Sequence, residues 1–366
     1  MSKTKHLLAV VLLAVASAAF ADVNVGVFLP FKAGGQKGQS AVEYYRGLLM
    51  AVDSLSQGGT TFHITAADCG STASDVKALL DEAKHGVFDI IFAPSNAQQA
   101  EAVNNYSILN GTKVVMPFGG RYDELITNSN YYALKVTQTD YTIPAYELLA
   151  KLFKGRKMYV VSTNGGTQIC PLANFMKKYV KGVKELEWPA KEQKILQAMA
   201  DGNAVVVPSM YDEQTQKTMM QLAAKAPGTK AALIGYTNWY DRATTAADAR
   251  ALGEANVYIV TQDYPRQGIP RVNNFVKAYH NNFGTPLPQG KFSVAMWGFD
   301  SGYHLLKGLA RYKRDFSGQP LYAAPLQNRF SFERRNSQQG FINTSVLLLH
   351  YKADGSQEII EQPADQ

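Results

Sequence analysis

Short apolar runs alternate with amphipathic helical stretches from residue 23 onward, and this alternation leaves few folds open. Residues 23–30, 62–67, 87–94, 114–117 and 131–136 have strand character. Between them, helical faces repeat at a 3.6-residue period. One is built from Val42, Tyr45, Leu48, Leu49, Val52 and Leu55, and the next from Val76, Leu79, Leu80 and Ala83. Ser40 with Glu43 and Ser95 with Gln98 have capping-box spacing, and Thr72 to Asp75 opens the helix between them. Strands and helices in strict alternation predict a parallel sheet with crossover helices. Each strand then ends in a polar, glycine-containing turn. In open α/β sheets such carboxyl-end turns are where ligands sit. The run Val114-Val115-Met116-Pro117-Phe118-Gly119-Gly120-Arg121 is the clearest of them.

The alternation restarts after Gly155, with strands over 158–162, 204–208, 231–235 and 257–261. Two successive series predict two similar α/β lobes. The tail departs from the pattern. Residues 269–283 and 293–312 have the character of long helices, and 329–332 and 345–351 that of antiparallel strands, with Ala353-Asp354-Gly355 as a turn. The chain is thus expected to return to the first lobe and then to the second. That places lobe 1 in 22–138 and 264–322, and lobe 2 in 139–263 and 323–366.

Residues 1–21 stand outside this scheme. Lys3 and Lys5 precede nine unbroken apolar residues, 7–15, and Ala19-Phe20-Ala21 is a small-x-small cleavage site. This is a signal peptide cleaved after Ala21, too short for a membrane anchor, and it implies a periplasmic protein. Removing Lys3 and Lys5 leaves 35 basic against 30 acidic residues. That mild excess is spread along the chain, with no Lys/Arg cluster interleaved with aromatics, so nucleic acid is not an expected partner. An exported chain permits a disulfide, but Cys69 and Cys170 are far apart in sequence and equally fit two buried thiols.

Enzymatic signatures are missing. The six His residues lack H-E-x-x-H spacing, two Cys form no zinc pattern, and there is no G-x-S-x-G. Residues 34–40 imitate a phosphate loop without its Gly-Lys-Ser/Thr end. Cys170 is the one minor candidate nucleophile. Asn105, Asn110 and Asn343 begin N-x-S/T sequons. No cofactor or metal is expected, and the chain is expected not to be an enzyme.

Six stretches together resemble the type I periplasmic solute-binding proteins. The leucine/isoleucine/valine-binding and amide-receptor branch is the nearest, with the fold of many receptor ligand-binding regions. The stretches are Val25 to Pro30 with Tyr45-Arg46-Gly47 through Asp53; Asp89 to Ser95; Val114 to Glu124; Lys157 to Val161; Phe292 to Ser301; and Lys352 to Gly355. The resemblance implies a two-lobed clamp of the periplasmic binding protein-like I fold. Each lobe is a mostly parallel sheet flanked by helices, and three hinge crossings join them. A small polar ligand (amino acid derivative, amide, short peptide or organic acid) would bind between the lobes, for delivery to an ABC transporter. The alternative on the same fold is a ligand-sensing or envelope-associated protein-interaction module.

By position, the family's ligand contacts fall on Phe31, Ser95, Asn96, Phe118, Gly119, Gly120 and Arg121 in lobe 1. In lobe 2 they fall on Thr163, Asn164, Thr167, Tyr211, Tyr236 and Thr237. Ser95-Asn96 would offer a hydroxyl and helix N-terminal amides to an anion, and Phe118 to Gly120 would offer backbone N–H groups. The chain also departs from the family. The usual hydroxyls are missing at Phe118 to Gly120, and Thr237 stands where amino-acid binders carry an acid for the α-amine. That removes a charge-assisted bond, while Arg121 points to a negative group on the ligand.

Overall fold

The computed structural model describes residues 22–82, 86–118, 126–163, 168–226, 228, 230–263, 269–316, 319, 321 and 323–361. The chain forms two seven-stranded sheets. The first contains β1 (Asp22–Leu29), β2 (Thr61–Asp68), β3 (Ile90–Phe92), β4 (Lys113–Met116), β5 (Tyr131–Ala133), β11 (Phe332–Glu333) and β12 (Phe341–Asn343). Its order is β11-β12-β5-β4-β3-β1-β2. The second contains β6 (Lys157–Thr163), β7 (Lys184–Trp188), β8 (Ala204–Pro208), β9 (Ala232–Tyr236), β10 (Val257–Thr261), β13 (Leu347–Tyr351) and β14 (Gln357–Glu361). Its order is β14-β13-β10-β9-β8-β6-β7. β1 to β5 and β6 to β10 are parallel within their sheets, as the alternation requires. Buried strands such as Ala204–Pro208 are apolar throughout because helices cover both faces.

The chain passes between the sheets three times: after β5, after β10, and between β12 and β13. The third passage corrects the expected boundary at 322/323. β12 pairs with β5, so the chain stays in the first sheet through Asn343. β11 and β13 therefore belong to different sheets, and β13 pairs with β10 and β14 instead. The period-2 signal showed strands there but could not choose their partners. A further strand, β7, went unread because KELEW is a charged edge strand with one buried residue, Leu186.

Local starts also moved. The first helix, α1, is Gly35–Ser56, so Ser40 lies inside it and bonds Gln36 instead of capping. The third, α3 (Ala97–Asn110), is capped by Asn96, one residue beyond the expected Ser95. The second, α2 (Ala73–Asp81), does carry the Thr72/Asp75 capping box.

The first lobe is completed by α10 (Pro270–Phe283) and α11 (Val294–Tyr312). α1 and α11 cross with their backbones almost touching. A Cβ on Gly47 would lie 1.8 Å from the Ala295 carbonyl oxygen, and one on Gly298 would lie 2.1 Å from that of Tyr44. Beside this crossing the buried Tyr44 hydroxyl meets Ser301 Oγ at 2.7 Å, and Ser301 donates to the Trp297 carbonyl. Arg46 bonds Glu43 Oε1 and the Tyr279 hydroxyl at 2.9 and 3.0 Å, tying α1 to α10.

A buried polar network joins the three crossings. The Asp300 carboxylate accepts the backbone N–H groups of Leu326, Gln327 and Asn328 at 2.7–2.8 Å. Asn328 Nδ2 donates to the carbonyl of Gln262, on the second crossing. Gln262 Nε2 donates to the carbonyls of Asn343 and Ser345, on the third. Asn343 Nδ2 donates to the carbonyl of Leu134, at the first. The Asn343 sequon therefore has its amide inside the hinge, 2% exposed.

Two predictions follow from this packing. Gly47→Ala should lower stability by about 1–3 kcal/mol or more through overpacking, whereas Gly34→Ala, with open space around it, should be nearly neutral in the same denaturant titration. His304 is enclosed by α11 and the rings of Phe330 and Phe332, and burial, helped by Lys307, lowers its pKa from 6.5 to about 4. The unfolded chain then takes up a proton that the folded chain refuses. Stability should fall as pH drops from 6.5 towards 4, by on the order of 3 kcal/mol, and His304→Phe should flatten that slope.

Candidate functional site

All three crossings join the carboxyl edges of the two sheets. The first follows the end of β5, the second the end of β10, and the third runs from β12, parallel to β5, into the β13 end that pairs with Thr261. The two edges therefore bound the cleft beside the hinge. Strand register brings Leu29 level with Asp68, and Met116 level with Ala133, in the first lobe. In the second lobe it brings Val161 level with Pro208, and Val260 level with Tyr236.

On the first edge, Ser95 is committed internally. Its backbone N–H and hydroxyl both donate to Gln99 Oε1, at 3.1 and 3.0 Å. Gln99 is fully buried on α3, and its Nε2 donates to the Cys69 carbonyl at 2.6 Å. The Cys69 thiol points at Ser95 Oγ, 3.2 Å away. Gln99 thus clamps the turns after β2 and β3 together, a role the sequence did not signal. Asn96 Oδ1 is used in capping α3. Phe31 and Phe118 are half-buried, edge-on to Tyr45 and Tyr44 at 5.5 and 5.4 Å. Trp297 Nε1 donates to the Pro117 carbonyl and so steadies the turn before Phe118. Gly119, Gly120 and Arg121 lie outside the described residues.

On the second edge, Thr163 is buried and shares a 2.9 Å hydroxyl contact with Thr215, at the start of α7 (Glu213–Lys225). Asn164 and Thr167 lie outside the described residues. Tyr236 is buried, and its hydroxyl donates to the Pro208 carbonyl at 2.8 Å. Thr237 opens α8 (Thr237–Arg242) and donates to the Val260 carbonyl at 3.3 Å. Tyr211 is only half-buried, its ring 6.1 Å from that of Tyr236, and its carbonyl accepts from Asn238 Nδ2. Among the described residues, the Ser209 hydroxyl and Asn238 Oδ1 are buried without a partner, as are Trp239 Nε1 and Arg242 Nη2 in α8. A buried polar atom left unpaired is costly, so Ser209 and Asn238 are groups that a ligand or water could satisfy. The polar strand-end turn of 209–212 is visible in sequence, but not which of its atoms is unpaired.

The electrostatics of the second edge are those of a dry cluster. Burial raises the phenol pKa values of Tyr141 and Tyr236 and the thiol pKa of Cys170, with Tyr236 acting against the rise at Cys170. Cys170 Sγ accepts the Ala173 N–H and caps α5 (Pro171–Tyr179). A protonated, capping thiol is no nucleophile. Cys69 and Cys170 are both free and buried, one in each lobe. At the hinge, burial raises the Asp263 pKa and Asp241 adds to it, against the pull of Lys135.

A periplasmic binding protein family model matches residues 22–328. The chain belongs to this family. This periplasmic binding protein is a solute-binding protein whose cleft lies between its two lobes, and its family is one of binding proteins. Two solved structures share the fold. A proposed branched-chain amino acid ABC transporter from Rhodospirillum rubrum superposes with a TM-score of 0.63 at 15% identity, covering 93% of this chain and 100% of the other. An ABC transporter substrate-binding protein from Desulfitobacterium hafniense gives 0.50 at 15% identity, with the same coverage. At such identity the likeness is one of fold. No curated protein matches the chain significantly. Among the described residues, no helix is long and apolar enough to cross a membrane.

Replacing Gln99 with Ala should cost about 2 kcal/mol through the buried donors and acceptors it leaves unpaired. It should also speed the reaction of Cys69 with a thiol reagent. Unchanged stability and an unreactive Cys69 would show that the two turns hold without the clamp.

Proposed function

We propose that this protein is exported to the periplasm after cleavage following Ala21. There it captures a small polar ligand, an amino acid derivative, amide, short peptide or organic acid, and closes on it for delivery to an ABC transporter. The observation that supports this best is the joining of two carboxyl edges by three crossings tied through one buried polar network. Such a hinge lets ligand contacts on both edges favour the closed state over the open one.

The ligand shell we propose is Phe31, Phe118 and Tyr211 as walls and the backbone of Gly119 and Gly120 as donors. Arg121 answers a negative group, with Asn164, Thr167 and Thr237 at the rim. Ser95, Asn96, Thr163 and Tyr236 shape this shell from behind, because their polar side-chain atoms are already bonded within the protein. Ser209 and Asn238 join it as unpaired polar atoms. A ligand-sensing or protein-interaction role on the same fold is the second reading. It is favoured by Thr237, a neutral side chain bonded to Val260 where amino-acid binders carry an acid.

The test is a thermal-shift panel on the ligand-free protein, with amino acids, amides, short peptides and organic acids, alongside native mass spectrometry. A ligand at a hundredfold excess over its Kd should add about 2.7 kcal/mol of stability. Arg121→Ala should weaken an anionic hit by tenfold or more. No shift across the panel and a bare mass would favour the protein-interaction role, and an unchanged affinity in Arg121→Ala would remove that anchor.

A further inference from the structure

Away from the hinge, the Lys291 side chain bridges the lobes. Lys291 lies between α10 and α11, helices packed on the first lobe around Met50, Phe275, Tyr279 and Met296. Its ammonium donates to three carbonyls of the second lobe: Tyr240, Asp241 at 3.3 Å and Ala243 at 2.7 Å. It also lies 4.3 Å from the centre of the Tyr240 ring. An ammonium has three donors, and here they meet carbonyls in the last turn of α8; that of Tyr240 also accepts the Ala243 N–H. Burial lowers the Lys291 pKa, while Asp241 and Asp248 act in the opposite direction. The ammonium is partly withdrawn from water and bonded to these carbonyls.

Both ends of this bridge reach the cleft. On the second lobe, α8 begins directly after Tyr236, at the strand end, and Trp239 and Tyr240 anchor it in the core. On the first lobe, the neighbouring Phe292 packs on Trp297, whose indole holds the Pro117 carbonyl before Phe118. Gly290 takes φ +152°, a conformation L side chains rarely adopt, in the backbone that leads to Lys291. The contact exists only while the lobes keep this separation, since rotation about the crossings would carry the ammonium off α8.

We propose that Lys291 is an interlobe latch that favours the lobe separation described here over others and so tunes ligand affinity. The proposal rests on the clamp reading above, but its test needs no ligand, so an empty ligand panel would leave it standing. Spin labels on Ser74→Cys and Glu213→Cys, exposed in the first turns of α2 and α7, report the distance between the two edges. In ligand-free protein, Lys291→Met should lower the population at the described lobe separation about tenfold relative to other separations, the scale expected for losing hydrogen bonds to a charged group. Lys291→Arg should retain the parent's distance. Lys291→Gln, which keeps two donors, should fall between them and serves if the Met variant does not fold. A distance distribution identical to that of the parent in Lys291→Met or Lys291→Gln would overturn the latch, even if the melting temperature fell.

Discussion

The structure depends on one buried carboxylate and the amides around it. Asp300 gathers three consecutive backbone N–H groups from residues 326–328. Asn328, Gln262 and Asn343 then carry that order across all three passages between the lobes. A carboxylate in such a place needs its hydrogen bonds filled, because burial without them costs far more than the bonds return in water. The same requirement makes the hinge a single unit. The passages cannot shift independently without leaving an amide or carbonyl unpaired, so relative motion of the lobes has to be concerted.

Around the hinge, apolar packing decides how rigid each half is. The crossing of α1 and α11 relies on Gly47 and Gly298, with Tyr44 and Ser301 bonded beside it. It supports Trp297, which in turn fixes the Pro117 carbonyl at the cleft. The turn before Phe118 is thus held by a helix that joins the sheet from far along the chain. The hinge and this turn share α11, since Asp300 and Trp297 stand one turn apart on it.

Several residues of the stretches that resemble the family carry this framework. Arg46 bonds Glu43 and Tyr279, Gly47 meets Ala295, and Asp300 serves the hinge. The alternation of strands and helices was legible because it reflects local period and burial. The hydroxyls of Ser95, Thr163 and Tyr236 were legible as polar groups at strand ends, but not their bonds to Gln99, Thr215 and Pro208. Those partners come from other elements, and no local rule names them. Asn343 shows the same limit: in sequence it begins a sequon, and in the fold it closes the hinge.

The sequence alone determined the two α/β series, most element positions and the strand-end turns that face a ligand cleft. These follow from hydrophobic period and turn chemistry, which act over a few residues. Tertiary structure decided which sheet β11, β12 and β13 joined, where the chain last crossed, and which polar atoms were consumed or left free. It also placed Lys291 against α8. Each of these depends on pairing between groups remote in the chain, because a donor's partner is chosen by where packing brings it and not by its neighbours in sequence.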